Sequence, residues 1–214
     1  MTESALGKLI AKTAAVTLAC IIALMLVLFG VFTVLFPSVM LRITDLCGME
    51  KACTQYAVSV YSRSKEIDDL ANVVERGYVS ASWKIVSEYG EKLLSRADFY
   101  DYCAAEDEKS GAEEDGRITS SYAQYMTGLV SVGKYRTGDG KGAMETAFLL
   151  NRNSFPENNA VVTLAMSVIE RGDAVFASEL LSECKAQMDK VDFDKEQDVQ
   201  NLQTMISILE DFCA

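Results

Sequence analysis

The chain has 214 residues and a formal net charge of −11, from 31 acidic and 20 basic side chains. An acidic surface repels phosphate groups, so this composition argues against nucleic-acid binding and against a domain that lies flat on anionic lipid. The chain contains no histidine, which excludes Ser-His-Asp and Cys-His nucleophiles, histidine-ligated zinc and most general-base schemes.

A long apolar run follows the N-terminal tail of residues 1–13. Residues 14–36 contain no charged side chain, and runs of about 18 or more such residues are typical of transmembrane helices. At about 1.5 Å per residue the run reaches roughly 34 Å, against about 30 Å for the hydrocarbon core of a bilayer. Pro37 favours a helix boundary at its end. The sequence therefore predicts a single-pass signal anchor followed by a soluble domain from residue 38.

Three other interpretations of this run fit the sequence less well. A buried core helix rarely stays apolar on every face over such a length. A cleaved signal peptide has an apolar core of roughly 7–15 residues and an A-x-A-like site, which residues 35–38 do not offer. Leu18, Ala19 and Cys20 suggest a lipoprotein signal, but the leucine stands one position too close to the cysteine and the apolar run continues beyond it.

Flanking charges predict the orientation of the anchor. Lys8 and Lys12 precede the span, and Arg42 and Lys51 follow it, so positive-inside counting within about 15–20 residues is nearly tied. The terminal amine adds a further positive charge on the side of Lys8 and Lys12. This favours a cytoplasmic N-terminus and a domain outside the cytoplasm.

Small residues recur every fourth position along the anchor, at Ala11, Ala15, Ala19 and Ala23. On a helix they form one ridge, and such spacing is typical of helix pairs that pack closely in membranes. We therefore hypothesise that the anchor pairs with a second copy or with another single-span protein. The alternative is that alanine is simply common in membrane helices.

The domain is predicted to be all-helical, because it holds only Pro37 and Pro156 and its apolar segments are long. Helices are predicted over 38–46, over 49–64, over 67–75 with Gly77 as the stop, over 80–94 with Ser80 as N-cap, and briefly from Asp98. They form a first subdomain, 38–104. Residues 105–117 are rich in acids and lack periodicity, which predicts a solvated loop.

A second subdomain is predicted over residues 118–214. Its helices are expected over 120–135, 141–150, 160–171, 174–190 and 195–212. The last of these has a clear apolar face of five residues: Val199, Leu202, Met205, Ile206 and Leu209.

An internal repeat links two parts of this subdomain. Gly138 and Asp139 recur 34 residues later as Gly172 and Asp173. Three further pairs stand at the same offset: Ala143 and Ala177, Ala147 and Leu181, and Leu150 and Cys184.

Over residues 121–186 this pattern resembles the tetratricopeptide repeat, although Lys134 replaces an expected apolar residue and Pro156 is displaced by one position. The resemblance implies antiparallel helix pairs, joined by a Gly-Asp turn and stacked into an α-solenoid. Two unrelated helical hairpins are the alternative, because Gly-Asp is a common turn.

The sequence predicts no cofactor and no metal site. Residues 128–135 nearly spell a phosphate-binding loop, but Tyr135 stands where Ser or Thr should coordinate Mg²⁺. Acids alternate over 192–198 as in a calcium loop, but Gln197 replaces the sharp-turn glycine. The five cysteines beyond Cys20 are expected to be free, with a Cys47–Cys53 bridge as the alternative in an oxidising compartment.

Stacked helical hairpins form a concave surface that holds a peptide or a partner helix. Tyrosine and tryptophan are enriched at binding hot spots, and six aromatic residues are predicted to bind a protein partner: Tyr56, Tyr61, Trp83, Tyr89, Tyr122 and Tyr125. The alternative is that most are core aromatics. We therefore expect a membrane-tethered interaction module or scaffold, with a receptor-like domain for a small ligand as the alternative and an enzyme as the third choice.

Overall fold

A computed structural model of the chain describes residues 3–110, 121–151, 154–190, 193 and 195–214. These residues form eleven helices and no strand, which confirms the all-helical prediction for the described part of the chain. The helices are α1 (Glu3–Leu35), α2 (Pro37–Leu46), α3 (Glu50–Ser64), α4 (Ile67–Val79), α5 (Trp83–Leu94), α6 (Phe99–Ser110), α7 (Ser121–Arg136), α8 (Gly140–Ala147), α9 (Ala160–Glu170), α10 (Ala174–Lys190) and α11 (Glu196–Cys213).

Helix α1 contains the apolar run. Its segment Ile10–Leu35 is long and apolar enough to cross a membrane, and none of it is buried inside the protein. The next helix begins at Pro37, where a missing N–H is harmless because the first N–H groups of a helix have no partner within it. The guanidinium of Arg63, near the end of α3, donates to the backbone carbonyls of Val34 and Leu35. The end of α1 is thereby attached to the helical domain.

The predicted stop at Gly77 is wrong, because α4 continues to Val79 and Gly77 is buried within it. A Cβ at Gly77 would lie 3.0 Å from the side chain of Val86 on α5, so the glycine allows the two helices to approach. The predicted N-cap is also wrong: Ser82 occupies that position. Ser80 is buried, and its hydroxyl lies 2.9 Å from the hydroxyl of Thr54.

Part of the predicted acidic loop is helical. Helix α6 extends to Ser110, whereas residues 111–117 lie outside the described residues. Asp107 explains the difference, because its buried carboxylate accepts a hydrogen bond from the N–H of Tyr122 at 3.0 Å. This acid is therefore part of a helix–helix contact and not of a solvated segment.

The described residues form two hydrophobic core clusters, and α7 contributes to both. Met126 and Val130 of α7 belong to the cluster formed with α4, α5 and α6. Val132 and Tyr135 belong to the cluster formed with α8, α9, α10 and α11. Burial of one such side chain stabilises the fold by roughly 1.5–3 kcal/mol, so α7 holds the two halves of the domain together.

Helices α5 and α7 meet through two reciprocal glycine–valine contacts. A Cβ at Gly90 on α5 would overlap the side chain of Val130 on α7, and a Cβ at Gly133 on α7 would lie 2.6 Å from Cγ1 of Val86 on α5. Each glycine thus makes room for a valine of the other helix, which brings the two backbones close together.

The two Gly-Asp turns have the same local structure. Gly138 and Gly172 have φ angles of +92° and +69°, a conformation that side-chain-bearing residues rarely adopt. Asp139 then accepts from the N–H of Gly142 at 2.9 Å, and Asp173 accepts from the N–H of Phe176 at 3.1 Å. In both turns the glycine ends one helix and the aspartate caps the next.

Candidate binding groove

A groove of about 440 Å³ lies between the end of α6 and the first turns of α7 and α9. We refer to it as the α6–α7–α9 groove. Its lining combines a carboxylate, hydroxyls and amides with aromatic rings and β-branched side chains: Asp107, Ser110, Ser121, Tyr122, Tyr125, Asn158, Asn159, Val162 and Thr163. The volume lies in the range of about 300–1,000 Å³ that is common for ligand pockets.

Side-chain hydrogen bonds fix the helix ends that border the groove. The carboxylate of Asp107 accepts from Tyr122 in the first turn of α7. The Asn159 side chain caps α9 by accepting from the N–H of Val162 at 3.0 Å. The N–H groups of a first helical turn have no partner within the helix, so these acceptors stabilise both ends.

A network of buried amides holds the start of α9 against α7. Gln124 of α7 donates to Oδ1 of Asn151 at 2.9 Å and accepts from the N–H of Ala160 at 3.0 Å. Gln187 of α10 donates to the backbone carbonyl of Asn151. Gln124 uses both its amide nitrogen and its amide oxygen in these bonds, whereas the buried Oε1 of Gln187 has no partner among the described residues. The bonds of Gln124 fix the start of α9 against α7, and with it the wall of the groove that α9 forms.

Close packing of α7 on α9 completes the base of the groove. A Cβ at Gly128 would lie 2.9 Å from the Cβ of Thr163, so only glycine allows this approach. The glycines in residues 128–135, which nearly spell a phosphate-binding loop, thus lie inside a helix and serve its packing.

Three tyrosines adjoin each other beside a carboxylate at one side of the groove. The Tyr122 ring lies 5.8 Å from the ring of Tyr102 and 5.8 Å from that of Tyr125. Its hydroxyl donates to Oε1 of Glu75 on α4 at 3.1 Å. Tyr125 remains 44% exposed, so the group offers an aromatic surface whose neighbours are held in place.

Burial shifts the pKa values of this group. It raises the pKa of Glu75, although the hydrogen bond from Tyr122 acts in the opposite direction. Burial also raises the pKa of Tyr102 to about 12 and the pKa values of Tyr122 and Tyr125 above their ordinary value. At neutral pH the three tyrosines are therefore protonated, and they present neutral aromatic rings to a ligand.

The structure distributes the six predicted partner-binding aromatics over several places. Tyr122 and Tyr125 line the groove. Tyr61 and Tyr89 form a separate pair with ring centroids 5.9 Å apart, while Tyr56 is half-buried on α3.

Trp83 is the sixth of these aromatics and lies half-buried in an aromatic and cationic contact. It packs edge-on against Tyr78 at 5.6 Å, beneath the guanidinium of Arg136. Only Tyr122 and Tyr125 of the six are thus brought together in a concave site.

The remaining predicted features lie elsewhere. Ala11, Ala15, Ala19 and Ala23 are exposed along α1. Cys47 is exposed, Cys53 is buried, and both are free thiols. Among the described residues, no group of three or more His, Cys, Asp or Glu side chains is arranged to hold a metal ion.

Three residues at or beside the groove are not predicted from the sequence. Glu75 ends a predicted helix, and Asp107 lies in the predicted acidic loop. Asn159 directly precedes the apolar run of α9, and this position is a sequence signal for an N-cap residue. Glu75 offers no such signal, because its partner Tyr122 is 47 residues away.

Comparison of the chain with protein-family models, with curated proteins and with solved structures finds no match.

Proposed function

We propose that the chain is a single-pass membrane protein whose tetratricopeptide-like domain binds a protein partner in the α6–α7–α9 groove. The N-terminus lies in the cytoplasm and the domain lies outside it. The observation that carries the proposal is the contact group of Tyr102, Tyr122 and Tyr125 beside Glu75, at the edge of a concave site. Rigid aromatic residues in concave sites are the usual anchors of protein interfaces.

The repeat interpretation is supported by the equivalence of the two Gly-Asp turns and by the residues that follow them. Ala143 and Ala177, 34 residues apart, are both fully buried. Helices α7 and α9, the first members of the two hairpins, pack directly on each other at Gly128 and Thr163. In a stack of hairpins such first helices form one continuous surface for a partner.

The charge of the domain favours a basic partner segment. Residues 66–214 carry 28 acidic and 14 basic side chains, a formal net charge of −14. Asp107 lies in the lining of the groove, and Glu75 accepts from a lining tyrosine. Complementary charge increases the association rate and excludes acidic competitors.

A photocrosslinking amino acid at Tyr125 tests this proposal in native membranes. We expect a discrete protein adduct whose yield falls at high salt, because salt screens the charge attraction. The matched control is the same amino acid at Val175, which is 74% exposed on α10 and outside the groove. Identical adducts from both positions, or no protein adduct from Tyr125, would contradict the proposed interface.

Labelling of Cys213 tests the orientation. This thiol is exposed near the end of α11. A membrane-impermeant maleimide should label it on intact cells if the domain lies outside the cytoplasm. Labelling only after lysis would reverse the proposed topology without affecting the groove.

A small-ligand receptor is the second candidate, and the groove volume of about 440 Å³ favours it. A ligand of this kind should raise the melting temperature of the wild-type protein in a screen of metabolite mixtures. Replacement of the lining residue Val162 by Trp should abolish that rise by filling the groove. An undiminished rise in Val162→Trp would place the ligand at another site.

A further inference from the structure

Helix α2 presents an apolar stripe to solvent on the side away from its neighbours. Val39, Ile43 and Leu46 lie four and three positions apart, which places them on one face of the helix. They are 42%, 44% and 89% exposed. Phe36, directly before α2, is 49% exposed and extends the stripe towards α1. No described helix covers this face.

The opposite face of α2 is fixed to the domain. Met40 and Thr44 are buried against α3. Asp45 forms an ion pair with Arg76 of α4, whose second guanidinium nitrogen lies 3.1 Å from Asp45 Oδ2. With these contacts in place α2 cannot rotate to bury its stripe, so any cover for this face must come from outside the described helices.

The position of α2 favours a lipid surface as that cover. The helix begins two residues after Leu35, the last residue of α1, and Arg63 binds the carbonyl of Leu35 itself. The start of α2 and the end of α3 therefore lie at the level where the membrane helix ends.

The positive charge of residues 37–65 favours contact with an anionic lipid surface. Residues 37–65 carry four basic side chains, Arg42, Lys51, Arg63 and Lys65, against Asp45 and Glu50. This part of the domain is thus positive, although residues 66–214 have a net charge of −14. Basic residues next to a membrane span are attracted to anionic headgroups, and acidic ones are repelled.

We propose that α2 is a second membrane contact, which lies in the headgroup region with Val39, Ile43 and Leu46 inserted among the lipids. An amphipathic helix with exposed branched apolar residues and a flanking arginine suits this position. The contact fixes the orientation of the domain relative to the bilayer, with the basic α2–α3 region towards the lipid. The inference depends on the proposed membrane span.

The test uses the full chain in nanodiscs that contain zwitterionic and anionic phospholipids. Benzoylphenylalanine is introduced singly at Leu24 in the span, at Leu46 in α2, and at Met166, which is 56% exposed on α9. After irradiation, mass spectrometry measures lipid adducts. We expect strong lipid adducts at Leu24, clear adducts at Leu46 and only background at Met166.

The other outcomes separate the two proposals. Adducts at Leu24 with background at Leu46 would overturn the α2 contact and leave the span intact. Background at both positions would count against the span and the α2 contact alike. A protein adduct at Leu46 instead of a lipid adduct would assign the stripe to a second copy or a partner, and would also overturn the inference.

A second readout uses two native thiols. Cys47 and Cys213 are both exposed in the structure, but only Cys47 adjoins the stripe. In nanodiscs a water-soluble maleimide should therefore label Cys47 several-fold more slowly than Cys213. In the double variant Ile43→Glu and Leu46→Glu, maleimide should label Cys47 and Cys213 at similar rates. Equal rates in the wild-type chain would contradict the contact.

Discussion

Arg63 caps the helix that ends at Leu35. Its guanidinium donates to the Leu35 carbonyl at 3.1 Å and to the Val34 carbonyl, although 28 residues separate Arg63 from Leu35 in sequence. The last carbonyls of a helix have no partner within it, and a cation at this end also interacts favourably with the helix dipole. Helix α1 and the domain are thus joined by a side chain as well as by the backbone.

Replacement of Arg63 by Ala should weaken the attachment of α1 to the domain and leave the hydrophobic core unchanged. The amides of residue 36 and of residues 38–40 should exchange hydrogen faster, because a charge-assisted bond of about 1 kcal/mol at an exposed site is lost. Hydrogen-exchange mass spectrometry in nanodiscs measures the effect. The control is Arg42→Ala, which removes another exposed arginine of the same region. Equal acceleration in both variants would contradict a specific role for Arg63.

Replacement of Ala177 by Trp should destabilise the α9–α10 hairpin. Ala177 is fully buried, and overpacking of a core typically costs about 1–3 kcal/mol or more. In a domain of this size that corresponds to a fall in melting temperature of roughly 2–10 °C. Circular dichroism of the full chain in detergent measures it, with Ser178→Trp at the adjacent exposed position as the control. A fall of similar size in the control would attribute the effect to tryptophan in a helix and not to overpacking.

The glycine–valine contacts of α5 and α7 predict energetic coupling. Gly133→Ala should destabilise the protein by about 1–3 kcal/mol because its Cβ meets Val86, despite the better helix propensity of alanine. The double variant with Val86→Ala should lose less free energy of unfolding than the two single variants lose in sum. The expected coupling energy is about 0.5–3 kcal/mol. Denaturant unfolding provides the four free energies of unfolding. If the losses in free energy of unfolding were additive, Gly133 and Val86 would not be energetically coupled.

The pKa of Glu75 predicts the pH dependence of stability. Burial raises this pKa above its ordinary value of 4.5, so the folded chain binds the proton more tightly than the unfolded chain does. The contribution of Glu75 to stability is therefore present below its pKa in the unfolded chain. It is lost as the pH rises through its pKa in the folded chain. Glu75→Gln should melt at a higher temperature than wild type at neutral pH, and the difference should shrink on acidification.

Glu88 provides a control of opposite sign for the pH experiment. The hydrogen bond from Lys92 lowers the pKa of Glu88, so its contribution is present above the unfolded pKa and is lost as pH falls through the folded pKa. Glu88→Gln should therefore not gain stability at neutral pH. If both variants shifted the melting temperature in the same direction at every pH, the assigned role of Glu75 would be wrong.

Local patterns were sufficient to predict most of the helices. The apolar run of residues 14–36 and the periodic apolar positions of α11 directly reflect what a helix must bury or expose. The errors occurred where a residue serves another element: Gly77 makes room for Val86, and Asp107 binds the N–H of Tyr122. A single segment carries no sign of such a contact.

The groove was less predictable than the fold for the same reason. The sequence suggested aromatic binding residues, but it did not indicate which of them would meet. Tyr122 contacts Tyr102 and Glu75 only after α4, α6 and α7 have packed together. The side chain of Gln124 similarly reaches Ala160, 36 residues away. Such contacts depend on how helices cross, which periodicity within one helix does not specify.

The close packing of α5 on α7 has a consequence for a chain that is cut between Ser110 and Ser121. The glycine–valine contacts and the bond from Tyr122 to Asp107 join residues on opposite sides of that interval, so none of them requires an intact peptide bond within it. Two polypeptides divided there would retain complementary surfaces. They should associate without a covalent link, and together they would restore the α6–α7–α9 groove.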